Sequence, residues 1–164
     1  MTIFVKNKHT LQIDEFKFRC CIGKNGFTKN KKEGDKKTPK GTFGIESLYY
    51  RKDRLQKPIT SLKCVKIKKN MGWCDDIRFP KKYNKLFKIE KKIKHEKLKR
   101  KDYKYNLLIP IKYNFKKPVS GKGSCIFIHL TKDYKPTAGC VALKEKDFLI
   151  MLKLIKKKTK IRIF

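Results

Sequence analysis

The sequence predicts a mainly β fold, a curved sheet or β-sandwich packed by one helix near its C-terminal end and joined by long loops. Three observations carry this. Short apolar runs with alternating or β-branched character recur along the chain, bounded by turn residues. Only one stretch, residues 145–157, has a broad apolar face at helical spacing. Long polar segments rich in Lys and Gly separate the runs. At 164 residues the chain suits a single domain spanning 1–164.

The first strands are expected within residues 2–22, as TIFVK, TLQI and FKFRCCIG, closed by Gly23 and the turn pair Asn25-Gly26. Residues 24–41 have no apolar period and read as an extended surface loop, a mobile wall for any neighbouring groove. TFGIESLYY returns to β-type residues, and the stretch NMGWCDDIRFPKKYN reads as loops around Trp73. Leu86, Phe87, Ile89, Ile93 and Leu98 make a weak helical pattern between Leu86 and Arg100. NLLIPIKYN and SCIFIHL predict strands buried on at least one face, with Gly121, Lys122 and Gly123 turning the chain between them. In the helix, Phe148, Leu149, Met151, Leu152, Leu154 and Ile155 form the apolar face, while Glu145 and Asp147 favour the N-terminal dipole. KIRIF alternates as a last strand.

Lys and Arg number 46 against 14 Asp and Glu, a formal net charge of +32 that sets up a strong attraction for anions. The charge is mostly Lys and spread from end to end, with no basic tail or arginine-rich reader helix, so a nucleic-acid partner is not required. A polyanion-binding module is the alternative this charge supports. The six cysteines contain no C-x-x-C pair, which leaves a zinc ribbon or a thioredoxin-type motif without support. No apolar run has the length of a secretory h-region, and none approaches the roughly 20 residues that span a bilayer.

Chemistry concentrates between residues 124 and 143. A strand, SCIFIH, ends on His129, and a turn, Pro136-Thr-Ala-Gly, ends on Cys140. A cysteine that attacks an amide needs a base for its proton and backbone N–H groups for the oxyanion. His129 is the candidate base, and Thr137, Ala138 and Gly139 are small residues whose turn lets backbone approach a substrate. Taken singly, a strand His and a Cys before Val-Ala-Leu are ordinary core residues. Their combination is what suggests a site.

The segment Phe127 to Leu143 resembles the catalytic stretch of bacterial L,D-transpeptidases, a strand His followed by a Thr/Ser-x-Gly-Cys turn. KKEGDKKTPKGTFGI, Lys31 to Ile45, is similar to that family's substrate-side loop, and GWCDDIRFPKKYN and Lys94-His95-Glu96 are similar to segments of one branch. The resemblance implies a sheet fold of that type, Cys140 as nucleophile, His129 as base and an oxyanion turn at Gly139. The chain departs from the commoner pattern at Ala138, where a His would precede the Gly, and at Ala142, where an Arg or Asn would follow the Cys. Replacement substrate contacts are expected from Trp73 with Asp75 and Asp76, from Arg78 and His95, and from Lys40 on the loop.

The implied reaction is acyl transfer between peptidoglycan stem peptides through a thioester on Cys140, with water as acceptor in the peptidase alternative. No metal or cofactor is required, and the expected state is a monomer. The implied location is the periplasm or cell envelope. With no export signal in the sequence as read, a cytoplasmic role on recycled wall fragments is the alternative.

Overall fold

A computed structural model describes residues 1–164, and its architecture follows the alternation of the sequence. In β1 (Thr2–Asn7), β2 (Thr10–Ile13), β3 (Phe16–Arg19) and β15 (Lys160–Ile163), every second side chain is apolar. Ile3, Val5, Leu11, Ile13, Phe18, Ile161 and Ile163 are accordingly buried on one face. With β6 (Gly41–Gly44) these strands form a five-stranded sheet in the order β3-β2-β1-β15-β6. β1 and β15 run parallel at its centre, Thr2 beside Lys160 and Val5 beside Ile163.

A second five-stranded sheet takes the order β14-β13-β12-β7-β8, from β7 (Leu48–Tyr50), β8 (Cys64–Lys66), β12 (Leu107–Pro110), β13 (Phe127–Leu130) and β14 (Val141–Leu143). Every residue of β12, β13 and β14 is buried, because each face of this sheet has its own apolar layer. Leu107, Ile109, Ile128, Leu130, Val141 and Leu143 enter the large core shared with the first sheet. Leu108, Phe127 and Cys140 enter a smaller core around Trp73, Tyr49 and Tyr105. The period of two therefore sends residues 127, 129, 140 and 142 to the smaller core.

Helix α1 (Glu145–Leu154) closes the large core with Phe148, Met151 and Leu152. Its first turn carries Glu145 and Asp147 and its last Lys153, matching the helix dipole. The helix stops short of the expected residue 157: Ile155 is already extended, and the Lys156 N–H donates to Thr159 Oγ1 at 2.8 Å. No helix is long and apolar enough to cross a membrane.

Two expectations change. The segment from Leu86 to Arg100 is not helical but supplies β10 (Leu86–Lys88) and β11 (His95–Lys97), which flank β9 (Met71–Cys74) antiparallel. Trp73 thus lies on a central strand rather than in a loop. The flanks close tightly over Gly72, where an added Cβ would lie 2.9 Å from Ile89 Cγ1 and 3.1 Å from His95 Cδ2. The Lys24–Gly41 segment is likewise no free surface loop. It carries the two-stranded ladder of β4 (Phe27–Thr28) and β5 (Thr38–Pro39) and buries Lys31 and Thr38.

Candidate active site

The turn before β14 is held from two sides. Thr137 pairs with Gly23, its N–H donating to the Ile22 carbonyl and its carbonyl accepting from Lys24 N–H, both at 2.9 Å. Its hydroxyl donates to the Cys140 carbonyl at 2.6 Å and accepts from Gly139 N–H at 3.1 Å. On the other side, buried Thr38 donates to the Gly139 carbonyl at 2.8 Å and accepts from Gly23 N–H at 2.9 Å. Gly139 has φ of 142°, a conformation side chains disfavour, and a Cβ there would lie 2.9 Å from the Lys37 carbonyl oxygen. The expected mobile loop is therefore the clamp on this turn.

Cys140 is 8% exposed. Its thiol donates to the Cys125 carbonyl at 3.1 Å and its sulfur accepts from Phe127 N–H at 3.3 Å. The Phe127 dipole favours a thiolate, but burial outweighs it and pushes the thiol up to about 12. On β13, His129 stands beside Ala142, two residues past Cys140, and its Nδ1 lies 2.9 Å from the Leu130 carbonyl. A carbonyl only accepts, so Nδ1 carries the proton and Nε2 keeps its lone pair. Burial, aided by the Lys104 and Arg100 charges, lowers the imidazole to about 4. No hydrogen bond joins the sulfur to the ring, so the resting pair is a neutral thiol and a neutral imidazole. The Cys140 thiol therefore keeps its proton, because removing a thiolate from water costs more than one N–H returns. The Cys140 N–H makes no hydrogen bond and is free to receive an oxyanion.

Cys140, His129, Thr137, Ala138 and Ala142 all line one cleft of about 620 Å³. Much of its remaining wall comes from residues to which the sequence assigned no role. Tyr105 packs edge-on against His129, ring centres 5.5 Å apart, and its hydroxyl donates to Glu96 Oε1 at 3.0 Å. Arg100 also donates to Glu96 Oε1, at 2.9 Å, and grips Asp102 with two N–H groups at 2.9 and 2.6 Å. Glu33, from the clamp loop, accepts from Ser124 Oγ at 2.6 Å and from the Tyr83 hydroxyl. The sequence signal for the first group was the run of acids and arginines at 96, 100 and 102, unusual in a Lys-dominated chain.

Of the six expected substrate contacts, Trp73, Asp76, Arg78, His95 and Lys40 do not line this cleft. Trp73 is 3% exposed, donates to Asn84 Oδ1 at 2.9 Å, and supports the site from behind through Phe127. Arg78 is exposed and engages Asp76 with two N–H groups. His95 donates Nδ1–H to the Ile93 carbonyl at 2.6 Å and packs on Phe87. Lys40 is exposed, with its backbone N–H on the Thr28 carbonyl. Asp75 does reach the cleft wall, where burial raises its carboxyl despite Lys94. All six cysteines are free, and no group of three or more His, Cys, Asp or Glu has the spacing to hold a metal ion.

Over residues 1–163 the sequence matches a family model described as YkuD, L,D-transpeptidase catalytic domain. No curated protein matches it. Among solved structures, the chain is similar to Bdellovibrio bacteriovorus Bd1075 at 15% identity and a TM-score of 0.48. That match covers 99% of this chain and 47% of the other, so the chain spans about half its length.

Proposed function

Because this chain belongs to the L,D-transpeptidase catalytic-domain family, a family of cysteine-dependent enzymes acting on peptidoglycan, we propose that it cross-links stem peptides through a thioester on Cys140. The observation that carries this reading is the neutral Cys140–His129 pair opening into one cleft, with the Cys140 N–H unused. Residues 1–164 act as one catalytic unit in the cell envelope.

A donor peptide enters the cleft with its carbonyl carbon against the Cys140 sulfur. The thiol gives its proton to His129 Nε2 as the sulfur adds to the carbonyl, and the Nδ1–H bond to Leu130 holds the ring in that tautomer. The oxyanion is received by the Cys140 N–H. Gly139 N–H is a second donor once it turns from Thr137 Oγ1. Collapse expels the leaving amine, which takes the proton back from the imidazolium, and leaves the thioester. The amine of a second stem then attacks the thioester carbonyl, losing a proton to His129, and the thiol is regenerated. A base lowered to about 4 is unprotonated across the physiological range and so holds a lone pair for the thiol proton.

The test is mass spectrometry of muropeptides incubated with the protein and with Cys140→Ala. New cross-linked species that vanish in the variant are the expected result, together with a carbapenem adduct mapped to the Cys140 peptide. If the variant matches the parent in both, the sulfur is not the nucleophile. Shortened stems without cross-links would identify water as the acceptor instead.

A further inference from the structure

The imidazole of His129 is held by one hydrogen bond, to Leu130, which fixes its tautomer but leaves the ring free to tilt about that contact. Tyr105 supplies the second restraint. Its ring meets His129 edge-on at an interplanar angle of 70° and meets Phe127, two residues earlier on β13, at 85° and 5.9 Å. A buried tyrosine hydroxyl needs a partner, and this one reaches Glu96 on the cleft wall. Glu96 in turn is fixed by Arg100, whose guanidinium lies 5.0 Å from the Tyr105 ring centre and is locked from behind by Asp102. The main-chain carbonyl of Arg100 is pinned by Arg51 at 2.6 Å. Phe127, Glu96 and Arg100 thus hold one aromatic ring against the base, with Asp102 and Arg51 fixing Arg100.

We propose that Tyr105 is the positioning residue for His129, with Glu96 and Arg100 as the tether that holds it. The proposal rests on the reading of His129 as the base. Two effects follow from the contact. The ring keeps Nε2 aimed at the cleft, and it excludes water from the imidazole, which helps to keep it neutral. The charged groups facing His129 are Lys104 and Arg100, which disfavour its protonation, and Asp102, which favours it; its neighbour on β14 is Ala142 and on β12 the apolar Leu108. Tyr105 itself adds no charge, because burial raises its phenol well above the ordinary range.

The experiment uses Tyr105→Phe and Tyr105→Leu in the full chain with two readouts, the NMR titration of His129 and the pH profile of carbapenem acylation. The chain has three histidines, so the titration is assignable. Tyr105→Phe keeps the ring and should leave the titration in place, with acylation lowered less than about tenfold. Tyr105→Leu should raise both the titration and the acid limb of acylation toward the ordinary imidazole value, and should slow acylation about a hundredfold. If Tyr105→Leu does not fold, Glu96→Ala decides, and a smaller shift in the same direction is expected. An unshifted titration in the folded Leu variant, or in Glu96→Ala where it decides, overturns the proposal, as does equal behaviour of Phe and Leu. Should the wild type resist acylation altogether, the nucleophile reading fails, while the titration still decides the role of Tyr105.

Discussion

Replacing Gly139 by Ala tests the construction of the turn before Cys140 more directly than any change to Cys140 itself. At φ of 142° a side chain is strained, which costs about 1–3 kcal/mol. The added methyl would also sit 2.9 Å from the Lys37 carbonyl oxygen, so the backbone of the clamp loop must move. That movement pulls Thr38 from the Gly139 carbonyl, a buried hydrogen bond of 2.8 Å whose loss leaves unsatisfied groups worth about 1–3 kcal/mol. Together the loss should be about 4 kcal/mol, a large part of the ~5–15 kcal/mol that stabilises a typical domain. Urea denaturation at neutral pH measures it, and carbapenem acylation of the folded variant should fall because the Cys140 N–H moves with the turn. A loss below about 1 kcal/mol with native acylation would mean that the loop does not clamp the turn, and the account of Gly139 would be wrong.

The neutral state of His129 makes a pH prediction. Its folded value of about 4 lies below the ordinary 6.5, so the unfolded chain binds the proton first and stability is lost as pH falls through that window. The loss is about 3 kcal/mol by pH 4; denaturation of His129→Gln, which cannot titrate, should lack this part of the slope, and an identical slope would contradict the assignment. Iodoacetamide should label half-buried Cys64 before Cys140 in the native protein, since Cys140 is 8% exposed and its thiol is pushed up to about 12. First labelling at Cys140 would show that the resting pair is ionised. Gly72→Ala should cost about 1–3 kcal/mol by crowding Ile89, His95 and Phe87, and a neutral result in thermal denaturation would mean that β10 and β11 can spread.

The legible parts of this molecule were those written in local pattern. Ile3, Val5, Leu11 and Ile13 announce strands because a half-buried sheet needs apolar residues at every second position, and Phe148, Met151 and Leu152 announce the helix by their spacing. His129 and Cys140 stand out for a different reason, the resemblance of Phe127 to Leu143 to a family's catalytic stretch, and both line one cleft. Leu86 to Arg100 misled because five apolar residues over fifteen positions fit a helix loosely, whereas their burial is decided by a distant partner, Gly72, that allows two short strands to close on it. Glu96, Arg100 and Asp102 stand out by residue type, but their grouping with Tyr105 is hidden for the same reason. Their meeting depends on how the second sheet and the β9 hairpins pack, and no spacing in the chain encodes it. Trp73 and Arg78 need no substrate to account for them, since the indole fits a core and the guanidinium fits its neighbouring Asp76.

The pairing of β1 with β15 sets a timetable for folding. One edge of β1 joins β2 and β3 through turns of a few residues, but its other edge waits for Lys160–Ile163, far along the sequence. Strand β6 waits as well, since β15 is its partner. Contacts of such long sequence separation close slowly, and in the meantime the open edges of β1 and β6 are templates for pairing with another chain. A lysine-rich surface carrying a net charge of +32 keeps unfinished copies apart during that interval. The sheet that carries His129 pairs strands nearer in sequence, so it can assemble before the sheet that supports it.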